Sequence, residues 1–390
     1  MSSLTAAATE SRAPASVTAF PPHIVAVVLA ATSVIVGVIW DISWHRSIGR
    51  DTFWTPAHLA IYLGGIVAGV SCGALVLRTT FAGTPEERGR TVRFWGFRGP
   101  LGAWVCIWGA IAMITSAPFD NWWHNAYGLD VKVLSPPHVL LALGFTGIQV
   151  GGLLLLAARQ NADEGAADAH AAAHRRLFTY AAGLLVANAS IMGIEYIGFP
   201  NDAHHALYYK ICAAAFPLLL AATARASRAR WPATGAAATY MAVTLLMLWI
   251  LPLFPATPRL APIYNPLDHF VPPPVPILLV VPALVIDLVV RRGPESDWGR
   301  AALAGIGFVL VLLAVQWTVA RFLISPRAEN FLFGAQRWNY NSQLGPWRYE
   351  FWRVAADPLT AGGVVTATAI AVASTRVGLW WGAWMARVRR

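Results

Sequence analysis

Long apolar runs, broken at short intervals by polar and proline-rich connections, set the pattern of this chain. Ten of them reach the roughly 20 residues an α-helix needs to cross a bilayer: 22–43, 57–79, 101–118, 137–158, 177–198, 206–224, 236–254, 273–290, 301–324 and 361–384. The pattern predicts an all-α, polytopic helical bundle of about ten transmembrane helices. Residues 1–20, rich in Ala, Ser and Thr, read as a disordered N-terminal tail, with no signal peptide. Residues 21–160 form a four-helix module, and 161–390 a second module of about six helices. The second carries a long aromatic outer loop at 325–360, with no chemistry legible in it.

Composition agrees. Hydrophobic residues make up 57% of the 390 and charged residues 12%, about half the charged share of a soluble domain. The net charge of +10 comes from arginines gathered in every second loop, such as Arg88, Arg90 and Arg93, or Arg291, Arg292 and Arg300. Such charges set topology and give no reason to expect nucleic acid. By the positive-inside rule those loops and both termini are cytoplasmic, in the inner membrane of a bacterium. Cys72, Cys106 and Cys212 fall inside spans and read as small packing residues.

This topology places the remaining polar groups on one side. Seven of the ten histidines, His45, His58, His124, His138, His204, His205 and His269, fall near outer ends of spans. Glu195, Asp202 and Asp268 accompany them; no role is assigned to these or to the last three histidines. Ionisable groups at membrane depth are costly and usually functional. Two stretches repeat one another. WDISWHRSIGRDTFWTPAHLAIYLGG, at 40–65, holds Asp41, His45, Gly49, Asp51, Pro56 and His58. FDNWWHNAYGLDVKVLSPPHVLLALG, at 119–144, holds Asp120, His124, Gly128, Asp130, Pro136 and His138.

An Asp and a His four residues apart share one helix face. Gly49 and Gly128 suit a helix C-terminus and the prolines the first turn of the next helix. An antiparallel hairpin then brings Asp41, His45 and His58 to one point, and Asp120, His124 and His138 to another. One carboxylate with two imidazoles is a metal-ligand set that suits zinc, copper or non-haem iron. The plainer alternative is a helix-end Asp–His hydrogen bond with a loop-capping histidine; repetition of the spacing weighs against it.

The spacing Asp-x3-His-x12-His followed by Asp-x3-His-x13-His resembles the two metal sites of the C subunit of copper membrane monooxygenases, the particulate methane and ammonia monooxygenases. The resemblance covers roughly residues 20–150. It implies copper at both sites and oxidation of a small hydrocarbon- or ammonia-class substrate near the outer leaflet. It also implies other membrane subunits, a cupredoxin-like soluble partner and an oligomer. The family has Asn at the first position of the second site, where this chain has Asp120. Residues 265–291, NPLDHFVPPPVPILLVVPALVIDLVVR, are faintly similar to a proline-rich span of the family's A subunit. Asp120, His124 and His138 are the expected catalytic set, with Trp122, Trp123 and the loop GLDVKVL to wall off substrate. Arg46 and Arg50 make the first site the wetter one. Two other functions compete: a copper- or zinc-binding protein without catalysis, and a transporter. The spans are clean apart from Asp287 and Gln316, which ranks the transporter last.

Overall fold

The computed structural model describes residues 21–49, 52–128, 135–162, 169–259, 267–336 and 358–390. The N-terminal tail, Arg50, Asp51, Asp130 with most of the GLDVKVL loop, and most of the aromatic outer loop lie outside them. The protein is an all-α helical bundle. Its long helices are α1 Pro22–Ser47, α2 Pro56–Ala82, α4 Leu101–Tyr127, α5 Pro136–Ala162, α6 Ala169–Met192, α8 Ala206–Ala226, α9 Pro232–Ile250, α10 Val280–Arg292, α11 Asp297–Leu323 and α12 Ala361–Met385; α3 (Pro85–Gly89) and α7 (Ile194–Ile197) are single turns. A two-stranded hairpin, β1 Val92–Phe94 and β2 Phe97–Gly99, joins α2 to α4.

Eight of the described helices are long and apolar enough to cross a membrane, which makes this a multi-pass membrane protein in a lipid bilayer. Ten were expected, and the two shortfalls have physical causes. The run at 177–198 belongs to α6, which starts earlier, with His174, Arg175 and Arg176 in its opening turns, and ends at Met192 before Gly193. The run at 273–290 is only half helical. Residues 271–278 are neither helix nor strand, and α10 starts at Val280. Pro272, Pro273, Pro274 and Pro276 bring no N–H and clash with a preceding helical turn, so helix cannot form there.

Non-helical backbone within a span must be satisfied by protein, because lipid offers no hydrogen bonds. Here the N–H of Val271 donates to Ser47 Oγ (2.7 Å), that of Ile277 to the Tyr240 hydroxyl (2.9 Å) and that of Leu278 to Gln316 Oε1 (3.2 Å). Asp287 has a matching duty. Its carboxylate accepts from the backbone of Ala233 (3.1 Å) and Thr234 (2.8 Å) and from the Thr234 hydroxyl (2.7 Å), capping α9 from a neighbouring helix. Both intramembrane polar side chains singled out in the sequence therefore close backbone valences. The three cysteines are buried and unbridged, as packing residues.

Helices in lipid gain little from burying apolar surface against one another, so close backbone approach matters most. Glycine supplies it. A Cβ on Gly109 of α4 would lie 2.5 Å from the carbonyl oxygen of Gly144 on α5, and one on Gly64 of α2 would lie 2.7 Å from that of Ala30 on α1. Across the α2–α4 seam Gly65 faces Met113 and Gly69 faces Ala110, and Gly152 of α5 closes the ring against Val27 of α1. Replacing Gly109 with Ala is expected to lower stability by about 1–3 kcal/mol through overpacking. Gly73 has open space where its Cβ would stand, so Gly73→Ala should be neutral or stabilising by up to about 1 kcal/mol. Thermal unfolding of the two variants in detergent checks this; equal losses would remove the close-approach argument.

Candidate metal centres

Each repeated motif folds as expected wherever it is described. α1 continues past Trp40 to Ser47, so Asp41 and His45 stand on one face, one turn apart. The chain then turns at Gly49, whose φ of 79° is a left-handed conformation natural only to glycine. Pro56 opens α2, and His58 sits in its first turn. In the second copy α4 carries Asp120 and His124, Gly128 has φ 88°, and Pro136 opens α5 two residues before His138.

The side chains converge. In the second set Asp120 Oδ1 lies 3.6 Å from His124 Nε2 and 3.4 Å from His138 Nε2. One donor atom from each of the three residues fits within 4.8 Å of the others. These separations are too long for hydrogen bonds. They match the edges of a coordination shell: bonds of about 2.0–2.1 Å place tetrahedral ligand atoms roughly 3.3–3.4 Å apart. Asp120 Oδ1 and His124 Nε2 are also buried with no hydrogen-bond partner. Buried polar atoms normally have partners, so two of them facing one gap fit a cation between them.

In the first set Asp41 turns one oxygen to each histidine: Oδ1 lies 3.2 Å from His58 Nε2 and Oδ2 3.8 Å from His45 Nε2. His58 Nδ1 stands 3.0 Å from the Thr52 carbonyl. A carbonyl can only accept, so Nδ1 carries the proton and Nε2 is left facing the carboxylate. Two lone pairs at that distance repel unless a proton or metal ion lies between them. A backbone carbonyl holding the outer ring nitrogen is also the usual support of a metal-ligating histidine.

Both sets lie at the same end of the four-helix ring. Continuing the antiparallel register of α2 and α4, in which Gly65 faces Met113, brings His58 level with Asp120.

One expectation changes. Arg46 does not wet the first site: it is buried, with its guanidinium 5.4 Å from the centre of the Phe199 ring. Side-chain exposures are 16–26% at the first set and 19–31% at the second, so neither is drier. Trp122 is largely exposed, while Trp123 packs on Tyr127 with ring centres 4.6 Å apart.

The other polar residues form separate features. Asp268 and His269 pair with each other at 2.5 Å, and the His204 ring meets Trp317 edge-on. Asp202 is buried and accepts from the Phe199 backbone N–H; burial pushes its carboxyl up to about 7. Sequence reasoning missed the duties of Tyr240 and Ser47, which nothing in their local pattern distinguishes from packing residues. Comparison with protein-family models, curated proteins and solved structures finds no match for this chain.

Two outcomes are expected. Cysteines at positions 45 and 124 should react with a membrane-impermeant thiol reagent from the same side of the membrane; opposite sides would break the common-end arrangement. Asp202 favours the proton more in the folded chain than in the unfolded one, where a carboxyl titrates near 3.9. Its contribution to stability is thus present at low pH and lost as pH rises from about 4 through about 7. Asp202→Asn should flatten the fall in unfolding temperature across that window. An unchanged slope would assign the pH dependence elsewhere.

Proposed function

We propose that this chain is the metal-binding part of a copper-dependent membrane monooxygenase, oxidising a small hydrocarbon- or ammonia-class substrate. Asp41, His45 and His58 hold one metal ion and Asp120, His124 and His138 another. The observation that carries the reading is the gap between Asp120 Oδ1 and His124 Nε2, two buried atoms 3.6 Å apart with no hydrogen-bond partner. Three protein donors also leave room on the ion for a further ligand. Zinc and non-haem iron fit the same donors, and copper rests on the motif's resemblance to the particulate monooxygenases.

Copper, when bound, supplies the one-electron and oxygen chemistry. The chain's own residues orient it. Asp120 balances one unit of the ion's charge and turns the same oxygen toward both imidazoles. His124 and His138 present Nε2 from two antiparallel helices, so the spacing of their donors is set by the packing of α4 on α5. Phe119, Trp122, Trp123 and Tyr127 pack on one another in the last two turns of α4. The cupredoxin-like partner, the other subunits and the outer-face, inner-membrane placement belong to the same proposal.

A second reading is a metal-binding protein without catalysis. The partial exposure of all six side chains favours it, since a reactive oxygen species needs a dry site.

Elemental analysis of protein purified from membranes, with oxygen-dependent turnover assays, separates the readings. His124→Ala or His138→Ala should abolish metal-dependent oxidation of a small hydrocarbon, alcohol or ammonia under reducing conditions while the protein still inserts. His45→Ala and His58→Ala should mainly lower metal content. Metal at both sites without turnover on any substrate would establish the second reading; no metal at either would end both.

A further inference from the structure

At the end of the bundle opposite the Asp–His sets, the β1–β2 hairpin packs its aromatic side chains on α4 and α2. The Phe94 ring centre lies 5.4 Å from that of Trp104 and 5.9 Å from that of Trp108. Trp95 also lies 5.9 Å from Trp108, and Phe97 meets Phe81 of α2 edge-on. Trp108 stands seven residues into α4, about 10 Å along its axis, in a helix apolar enough to cross the bilayer. Trp108, Ile111 and Ile114 are exposed on that helix, so the aromatic cluster is continuous with a surface that lipid covers.

The turn of the hairpin is unusual. Trp95 (φ 48°) and Gly96 (φ 87°) are both left-handed, a two-residue reversal in which Asn-Gly is the common pair. Trp95 is the one non-glycine residue with positive φ among those described, and a bulky side chain there strains the backbone. Yet Trp95 is 79% exposed. The strained position thus holds an indole out beyond the protein, and indole is a side chain that settles at membrane interfaces.

The charge of the hairpin complements its apolar side. Arg93 and Arg98 stand directly opposite each other on the two strands, as do Phe94 and Phe97. Directly paired residues share a face, and like charges so placed repel. From Arg78 to Gly99 there are five arginines and two carboxylates. Arg78 pairs with Glu87 and Arg90 with Glu86. Arg88, Arg93 and Arg98 are left without a carboxylate among the described residues; the guanidinium groups of Arg88 and Arg98 meet only backbone carbonyls, at 3.4 Å. An anion between Arg93 and Arg98 would relieve their repulsion, and beside a lipid-covered aromatic cluster the anion at hand is a headgroup phosphate.

We propose that the β1–β2 hairpin is a docking site for an anionic phospholipid, with Trp95 set among the lipid and Arg93 and Arg98 holding the phosphate. The claim does not depend on metal binding or catalysis.

The first test titrates the full chain in detergent with phosphatidylglycerol or phosphatidylcholine and reads bound lipid by native mass spectrometry. A basic group beside an anionic headgroup is worth about 1 kcal/mol, or roughly fivefold, so Arg93→Gln with Arg98→Gln should weaken phosphatidylglycerol binding at least tenfold. Arg292→Gln, on the exposed end of α10, should leave it within about twofold, and inorganic phosphate at tens of millimolar should not displace the lipid. The second test places Trp95→Cys in nanodiscs with a bimane label, the three native cysteines being buried, and Glu86→Cys on exposed α3 as control. Spin-labelled lipid should quench the label at position 95 at least threefold more than at position 86. Equal affinity for the two lipids, equal loss in Arg292→Gln, or displacement by free phosphate would overturn the proposal, the last leaving a site for a small anion. Equal quenching at positions 95 and 86 would overturn it too, leaving the hairpin to water or to a partner protein.

Discussion

Close backbone contact between antiparallel helices is the constraint on which the rest of the structure depends. In lipid, helices are not driven together by burial of apolar surface, and contact must come from shape. Gly64 on Ala30 and Gly109 on Gly144 let the two hairpins approach until backbone meets backbone. Each hairpin has one free end where its chain reverses, and Asp41, His45 and His58, or Asp120, His124 and His138, stand at that end. The spacing of the carboxylate and imidazole atoms is thus inherited from the glycine seams below. Two such ends side by side give a pair of polar clusters at one end of the bundle.

The second half solves a different problem. Its proline-rich span cannot be helical throughout, and the freed backbone needs partners away from water. Ser47, Tyr240 and Gln316 supply them from three other helices, while Asp287 caps α9. These long-range hydrogen bonds tie the segment to α1, α9 and α11. The same irregular segment lines a small pocket beside Tyr240. Two groups of polar atoms inside this protein differ in kind. Asp287, Gln316 and Tyr240 satisfy backbone; Asp120 Oδ1 and His124 Nε2 face each other without any hydrogen-bond partner.

Much of this was legible in the sequence alone. Hydropathy determined the class, since eight runs of apolar residues have no stable place except in a bilayer or one another. The repeated Asp, His, Gly, Pro and His determined where helices α1 and α4 end and where α2 and α5 begin, because those residue types act through local backbone geometry. The i to i+4 spacing put each Asp and first His on one face for the same reason. The convergence of His58 and His138 on those pairs followed from the short connection of a hairpin. Only the tertiary structure decided the rest. It halved the helix at 273–290, where hydropathy reads proline as harmless but hydrogen bonding does not. It buried Arg46 with its guanidinium over Phe199, a partner more than 150 positions distant. It gave Asp287, Gln316 and Tyr240 their backbone duties and set both sites at one level of the bundle. Local chemistry is written in neighbouring residues, whereas these outcomes depend on which surfaces meet, and that is fixed by packing across the whole chain.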